Sequence, residues 1–305
     1  MRYRPFGNSG AAVSCVSLTL ADEPMRQDER IKLIYGALEA GINTFELQTR
    51  DPDIAAALGE ALGAVERRMV FVALRVGWSR DRSGARLRDL SPAALTGAIE
   101  SALAASRLDH FDVVLIDVGD DEILPGHVIP TLQASQQAHR VRMLGVAGGD
   151  GVDRYLDTGD FEVLATAYNI RSGWRERNRL KHAAQADMPI IGYDFQPFAA
   201  PAAAAAETTR PSGPFGIGRL LGGGGHKEKV ADAYAFLERN GTWSAEEICL
   251  AYALTEPALT TVQTRARSAE QLQKLAAAAE KELPNGVAAQ IEMARFSVAE
   301  SGGAA

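Results

Sequence analysis

Cationic residues are in deficit in this sequence. Its 32 lysines and arginines face 39 aspartates and glutamates, a formal net charge of -7. A chain without a basic surplus has little with which to displace counterions from a phosphate backbone, so nucleic acid is not an expected partner. Cysteine is nearly absent as well. Cys15 and Cys249 stand far apart without metal-ligand spacing, which argues against a disulfide scaffold, fits a reducing compartment and leaves both as small core residues. No run approaches the roughly 18 to 20 apolar residues of a membrane span. Met1-Arg2-Tyr3-Arg4-Pro5 has no apolar signal core, so the expectation is a cytoplasmic protein with no membrane contact. Also missing is a Gly-x-Gly-x-x-Gly turn after an early strand, which counts against an open doubly wound sheet.

What the sequence does contain is a regular alternation. Asp28-Glu29 open a helix through Ala40, Gly41 ends it, and Ile42-Asn43-Thr44-Phe45-Glu46 reads as a buried strand. Val70 to Arg75 is the next strand, and Ser91-Pro92 supply a cap and a first-turn proline for a helix through Ala105. Further strands are expected at Val113 to Asp117, Met143 to Ala147, Val163 to Ala167, Pro189 to Tyr193 and Leu259 to Gln263. Strand and helix in turn predict an α/β fold, a parallel sheet closed into a (β/α)8 TIM barrel, with the open doubly wound sheet as alternative. The 305 residues, 46% of them hydrophobic, suffice for one such unit, expected over 1–298. Two stretches break the rhythm: an Ala/Gly-rich segment at about 199–225, read as a surface loop or as a lid over a ligand, and the tail 299–305, read as disordered.

Several segments carry a family likeness. Arg2-Tyr3-Arg4-Pro5-Phe6-Gly7-Asn8-Ser9-Gly10, continued by Val13-Ser14, resembles the N-terminal hairpin of bacterial and potassium-channel-β-like aldo-keto reductases. Ala37 to Phe45 resembles the helix and second strand of that family, and Leu58-Gly59-Glu60-Ala61-Leu62 the next helix. Leu144-Gly145-Val146, Tyr168-Asn169, Ile191-Gly192-Tyr193 and Arg267 to Leu272 follow in the family's order across nearly the whole chain. The resemblance implies a (β/α)8 barrel with an N-terminal β-hairpin.

It also implies a departure in chemistry. Family reductases transfer hydride from NAD(P)H while a Tyr, assisted by Lys, Asp and His at the C-terminal mouth, protonates the carbonyl oxygen. Here the Asp position carries Glu46, the Tyr position falls at or beside Asp51, the Lys position is Arg75 and the His position is Asp117. No shift of register restores the pair, because no tyrosine lies between Tyr35 and Tyr155 and no lysine between Lys32 and Lys181. His110 falls at the start of its strand, at the far end from the mouth. An ionised Asp51 has no proton to donate, and Arg75 holds its proton too tightly to join a relay.

The cofactor residues implied by the resemblance survive in part. On the nicotinamide side the family's Ser-Asn and Gln are replaced by Ala147-Gly148 and Ala165, while Tyr193 keeps the position whose ring stacks on the nicotinamide. Asp194-Phe195-Gln196 could cradle the pyrophosphate with their backbone, and Gly218 and Arg219 lie in a stretch resembling a phosphate-binding loop. Arg265, Arg267, Ser268 and Gln271 gather at a helix N-terminus that favours phosphate, although solvated surface charge is the plainer reading of the arginines.

These features imply a catalytically degenerate homologue that binds NAD(H) or NADP(H) without turning it over and acts as a regulator or sensor. The resemblance to non-catalytic members connected with bacterial cell division and cell-cycle control implies FtsZ and a histidine kinase as protein partners. The small-residue ending with Ala304-Ala305 resembles tails read by ClpX-type proteases. An alternative is an enzyme with a rebuilt carboxylate site, Glu46, Asp51 and Asp117, doing metal-assisted or acid/base work. A second alternative is weak NADPH-dependent carbonyl reduction.

Overall fold

The computed structural model describes residues 1–80, 85–197, 234, 236–237 and 243–302. The chain begins with an antiparallel hairpin, β1 (Tyr3–Pro5) and β2 (Ala12–Ser14), whose turn uses positive φ at Gly7 (52°) and Gly10 (76°). Phe6 in that turn is fully buried and its ring centroid lies 4.3 Å from that of Phe71. The hairpin thereby closes the N-terminal end of the sheet that follows.

That sheet is a closed parallel barrel. Its strands are β3 (Val16–Ala21), β4 (Thr44–Gln48), β5 (Phe71–Val76), β8 (Phe111–Val118), β9 (Val141–Gly148), β10 (Val163–Ala167), β11 (Ile190–Tyr193) and β12 (Leu259–Thr264), with β12 pairing back to β3. Alternation of side chains assigns each strand two duties. In β5, Phe71 and Ala73 join the barrel interior with Val113, Leu115, Ala147, Val163, Ala165 and Ile191, while Val72, Leu74 and Val76 pack outward into the helical shell. In β3 the outward set is apolar, Val16, Leu18 and Leu20, whereas Ser17 and Thr19 alternate with it and are also buried. The interior therefore has an apolar wall and a polar one.

Helices α1 (Gln27–Glu39), α2 (Pro52–Leu62), α3 (Pro92–Ser106), α4 (Val128–Gln137), α5 (Trp174–Gln185), α6 (Ala245–Leu254) and α7 (Ala269–Glu280) belong to the shell, followed by α8 (Val287–Gly302). Side-chain caps explain several of the starts. Asp51 accepts from Asp53 N, Ser91 from Ala94 N, Ser244 from Glu247 N and Ser268 from Gln271 N, each worth about 1 kcal/mol. Between β9 and β10 the crossover is a short 3-10 turn, Asp150–Tyr155.

The (β/α)8 barrel expected from the alternation is the observed fold, and the strand at Val163–Ala167 falls at its predicted bounds. Three details differ. The first barrel strand, Val16–Ala21, is not among the strands expected above, although its Val-Ser-Leu-Thr-Leu alternation carries the period of a strand. A small hairpin, β6 (Trp78–Arg80) with β7 (Arg86–Arg88), follows β5 at the mouth. Helix α8 runs to Gly302, past residue 298, because Ala299 and Glu300 favour helix and the first breaker is Gly302 itself. The segment 199–225 and Ala304-Ala305 lie outside the described residues.

Candidate functional site

Inward-facing positions near the C-terminal ends of β4, β5 and β8 carry Glu46, Arg75 and Asp117, and the three meet at the barrel mouth. Arg75 donates from Nε to Glu46 Oε1 at 2.8 Å and from Nη1 to Asp117 Oδ1 at 2.9 Å. Their side chains are 11%, 2% and 22% exposed for Arg75, Glu46 and Asp117. Burial alone would lower the Arg75 pKa, but Glu46 and Asp117 reverse this and hold it well above the ordinary guanidinium value. Arg75 is thus a permanent cation bridging two carboxylates, with no proton to give.

The guanidinium also lies over the Tyr193 ring, 5.3 Å from its centroid, within cation–π range. Burial raises the Tyr193 pKa to about 12, with Arg75 opposing the shift and Asp117 and Asp194 adding to it. A family proton donor needs the opposite, a phenol made more acidic. After Tyr193 the backbone turns through Asp194 at φ 51°, and the Asp194 carbonyl accepts from Asn169 Nδ2 at 3.0 Å. Phe195 is buried and Gln196 half-buried, so Phe195 serves the core.

Ala147 and Ala165, expected from the resemblance to lie beside a nicotinamide, are fully buried parts of the interior wall. Gly148 has no room for any side chain, since a Cβ there would lie 2.4 Å from the Val118 carbonyl oxygen. Its own carbonyl accepts from Thr166 Oγ1 at 3.0 Å. An asparagine at this position would need the β8 and β9 ends to separate.

Across the mouth, Ser268 caps α7 by accepting from Gln271 N at 3.1 Å, and Gln271 Oε1 accepts from Arg267 N at 3.0 Å. The Gln271 amide also donates to Glu246 at 2.9 Å. Ser268 and Gln271 therefore order the turn, and Arg265 and Arg267 supply the charge. Arg267 is 79% exposed and 3.9 Å from Glu23. Arg265 donates to Gln48 Oε1 at 2.6 Å, and Gln48 Nε2 donates in turn to Glu46 Oε1 at 2.6 Å. Gly218 and Arg219 lie outside the described residues.

The structure thus brings Glu46, Arg75, Asp117 and Tyr193 together and links Arg265 to them through Gln48, a residue the sequence reading passed over. Its parity with Glu46, one pleat further along β4, was the available signal. Asp51 does not join them. It is exposed and caps α2, accepting from Asp53 N at 2.9 Å, so the trio of oxygen ligands considered from sequence is not assembled. Among the described residues no group of three His, Cys, Asp or Glu is placed to hold a metal ion. The polar interior wall was also unforeseen: Ser17 Oγ, Thr19 Oγ1, Thr261 Oγ1, Gln263 Nε2, Glu46 Oε2 and Arg75 Nη2 are buried without a partner.

The fold has close counterparts among solved structures. The aldo-keto reductase AKR11C1 from Bacillus halodurans, in its holo form, superposes with a TM-score of 0.74 at 20% identity, covering 96% of each chain. The glycerol dehydrogenase AKR11B4 from Gluconobacter oxydans gives 0.72 at 17% identity, covering 96% of this chain and 94% of its own. No curated protein matches the sequence. The profile of the aldo/keto reductase family matches residues 16–295, and the chain belongs to that family.

Proposed function

We propose that this chain is a nicotinamide-dinucleotide-binding member of its family that performs no carbonyl reduction and serves as a regulatory or sensor protein. The observation that carries the reading is Arg75 clasped between Glu46 and Asp117, where family reductases place a lysine, an aspartate and a histidine. This triad cannot deliver a proton to a carbonyl oxygen, and the nearby Tyr193 is made a weaker acid by burial. Loss of the donor removes the general-acid contribution, typically 10²- to 10⁴-fold, while the packed barrel persists.

A dinucleotide fits the mouth better at its phosphate end than at its nicotinamide end. Arg265 and Arg267 stand before the N-terminus of α7, whose amides favour an anion. At the other end the family's carboxamide contacts have no counterpart at Ala147, Gly148 and Ala165. Two buried donors without acceptors, Arg75 Nη2 and Gln263 Nε2, are available to a ligand oxygen instead. When bound, the dinucleotide would offer a hydride that these residues give no means of using. Metal-assisted chemistry at Glu46 and Asp117 is the weaker reading, because Arg75 already neutralises them.

Isothermal titration with NADH and with NADPH, each followed by absorbance measurements in the presence of reactive aldehydes and quinones, tests the reading. Saturable binding without nucleotide oxidation is expected. Steady oxidation would return the chain to the reductases, and no binding of either nucleotide would leave a scaffold. As a regulator the chain would act on protein partners. The resemblance to non-catalytic members nominates FtsZ and a histidine kinase, and co-sedimentation with each, with and without nucleotide, tests them.

A further inference from the structure

His110 takes no part in the mouth. It precedes β8 at the opposite, N-terminal end of the barrel, where basic groups from separate elements converge: Arg67 in the 3-10 turn Arg67–Met69, His110 itself, His139 after α4 and Arg142 in β9. A cavity of about 440 Å³ is lined there by His110, Gln136, His139, Val141 and Arg142, a volume within the range of small-molecule sites.

The hydrogen bonds around this cavity leave donors in excess. Buried Asp112 accepts from Arg67 Nη2 at 2.7 Å and from Val72 N at 2.8 Å, and Arg142 Nη1 reaches it only at 3.4 Å. Arg142 is otherwise 60% exposed. The second nearby carboxylate, Glu162, accepts from Leu144 N at 2.9 Å and Gln136 Nε2 at 3.1 Å, and Arg140 is engaged by Glu100. His110 Nε2 lies 3.7 Å from Asp112 Oδ1, beyond hydrogen-bond reach, so it and Arg67 Nε are buried atoms with no hydrogen bond, and buried polar groups of this kind call for one. His139 adopts φ 57°, a left-handed conformation that is strained for a residue other than glycine.

The electrostatics agree with the geometry. Burial lowers the His110 pKa, and Arg67 and Arg142 lower it further, against opposing contributions from Asp112 and Asp109. At the ring, therefore, the two guanidiniums outweigh the two carboxylates.

We propose that this cavity is an oxyanion site that takes a phosphate group, free or as a small monoester, at the closed end of the barrel. Arg142 would meet the phosphate oxygens with its fork of N–H donors. His110 and His139 would each donate a ring N–H, and both become better donors on taking up a proton. Binding is then coupled to protonation, and the affinity for the phosphate dianion rises as the pH falls through the range in which the rings take up a proton. The proposal is independent of whether the mouth binds a dinucleotide.

Histidine-ring NMR on the full chain tests it, since the sequence has 5 histidines and their ring signals can be followed singly. The probes are inorganic phosphate and glycerol 1-phosphate, each against chloride at constant ionic strength. Phosphate should raise the pKa of His110 by roughly 0.5–1 unit, move the ring signals of His139 and leave those of His127 and His182 in place. A stronger effect of glycerol 1-phosphate assigns the site to a monoester, and an equal effect to the free anion. The shifts should vanish in Arg142→Gln, an exposed substitution, and weaken for His110 in His139→Asn, which tolerates the left-handed backbone. Ring signals of His110 and His139 that behave identically in phosphate and chloride, or shifts that survive in Arg142→Gln, would overturn the proposal.

Discussion

Arg75 and Glu46 form an ion pair of 2.8 Å at the centre of the barrel mouth, with 11% and 2% of their side chains exposed. Glu46 is too buried to be left charged alone, so the value of the pair lies mainly in what its loss would expose. Arg75→Met should destabilise the protein by about 3–5 kcal/mol, the usual cost of stranding a buried charge. Adding Glu46→Gln should recover much of that loss. Urea unfolding of both variants checks this, and a cost under about 1 kcal/mol for Arg75→Met would mean that water already shares the pair.

How much of this site was legible in advance depends on the range of the signal. The placement of Glu46, Arg75 and Asp117 at strand ends could be read directly, because each sits at a fixed place in a strand pattern. That Arg75 would bridge the other two followed from charge once β4, β5 and β8 were adjacent. The role of Gln48 could be read only in part: its parity with Glu46 is local to β4, whereas Arg265 lies beyond β12, which is joined to β4 only through β3 in the closed barrel. Asp51 misled for the converse reason. A local duty, capping α2 ahead of Pro52, outweighed any role at the mouth. Val16–Ala21 was overlooked because a three-residue strand, Ala12–Ser14, precedes it almost without a break.

Gln48 and Arg265 supply the next test. Their 2.6 Å hydrogen bond occupies a guanidinium that a phosphate would also use, so the two compete. Gln48→Leu should tighten dinucleotide binding about 3- to 5-fold, equivalent to an exposed interaction of up to about 1 kcal/mol. Arg265→Met should weaken binding and abolish the gain from Gln48→Leu, a non-additivity that isothermal titration of the double variant measures. Unchanged affinity in Gln48→Leu would show that Arg265 is not a phosphate ligand.

The pH dependence of stability follows from His110. Its folded-state pKa lies below the ordinary value, first because of burial and then because of Arg67 and Arg142. Between the unfolded value, about 6.5, and the lower folded value, the unfolded chain binds a proton that the folded chain refuses. Stability is therefore full above about pH 6.5 and falls as the pH drops towards the folded pKa, below which no further loss comes from this residue. His110→Gln should flatten that part of the curve. Urea titrations from pH 8 to pH 5 in chloride buffer would detect it, and equal slopes for the two proteins would assign the pH dependence elsewhere.

Two glycines in neighbouring helices should respond to alanine with opposite signs. In α2 a Cβ on Gly59 would lie 1.9 Å from the Ser106 carbonyl oxygen at the end of α3, and that oxygen is backbone and cannot rotate away. Gly59→Ala must push the helices apart in a packed shell, at a cost of about 1–3 kcal/mol or more. In α3 a Cβ on Gly97 meets nothing within 4 Å, so Gly97→Ala keeps only the gain in helix propensity, up to about 1 kcal/mol. Thermal unfolding of the two variants reads both effects. A midpoint lowered by Gly59→Ala and raised by Gly97→Ala would place the tightest contact of the shell where α2 meets the end of α3. Equal responses would mean that the two helices yield at their crossing.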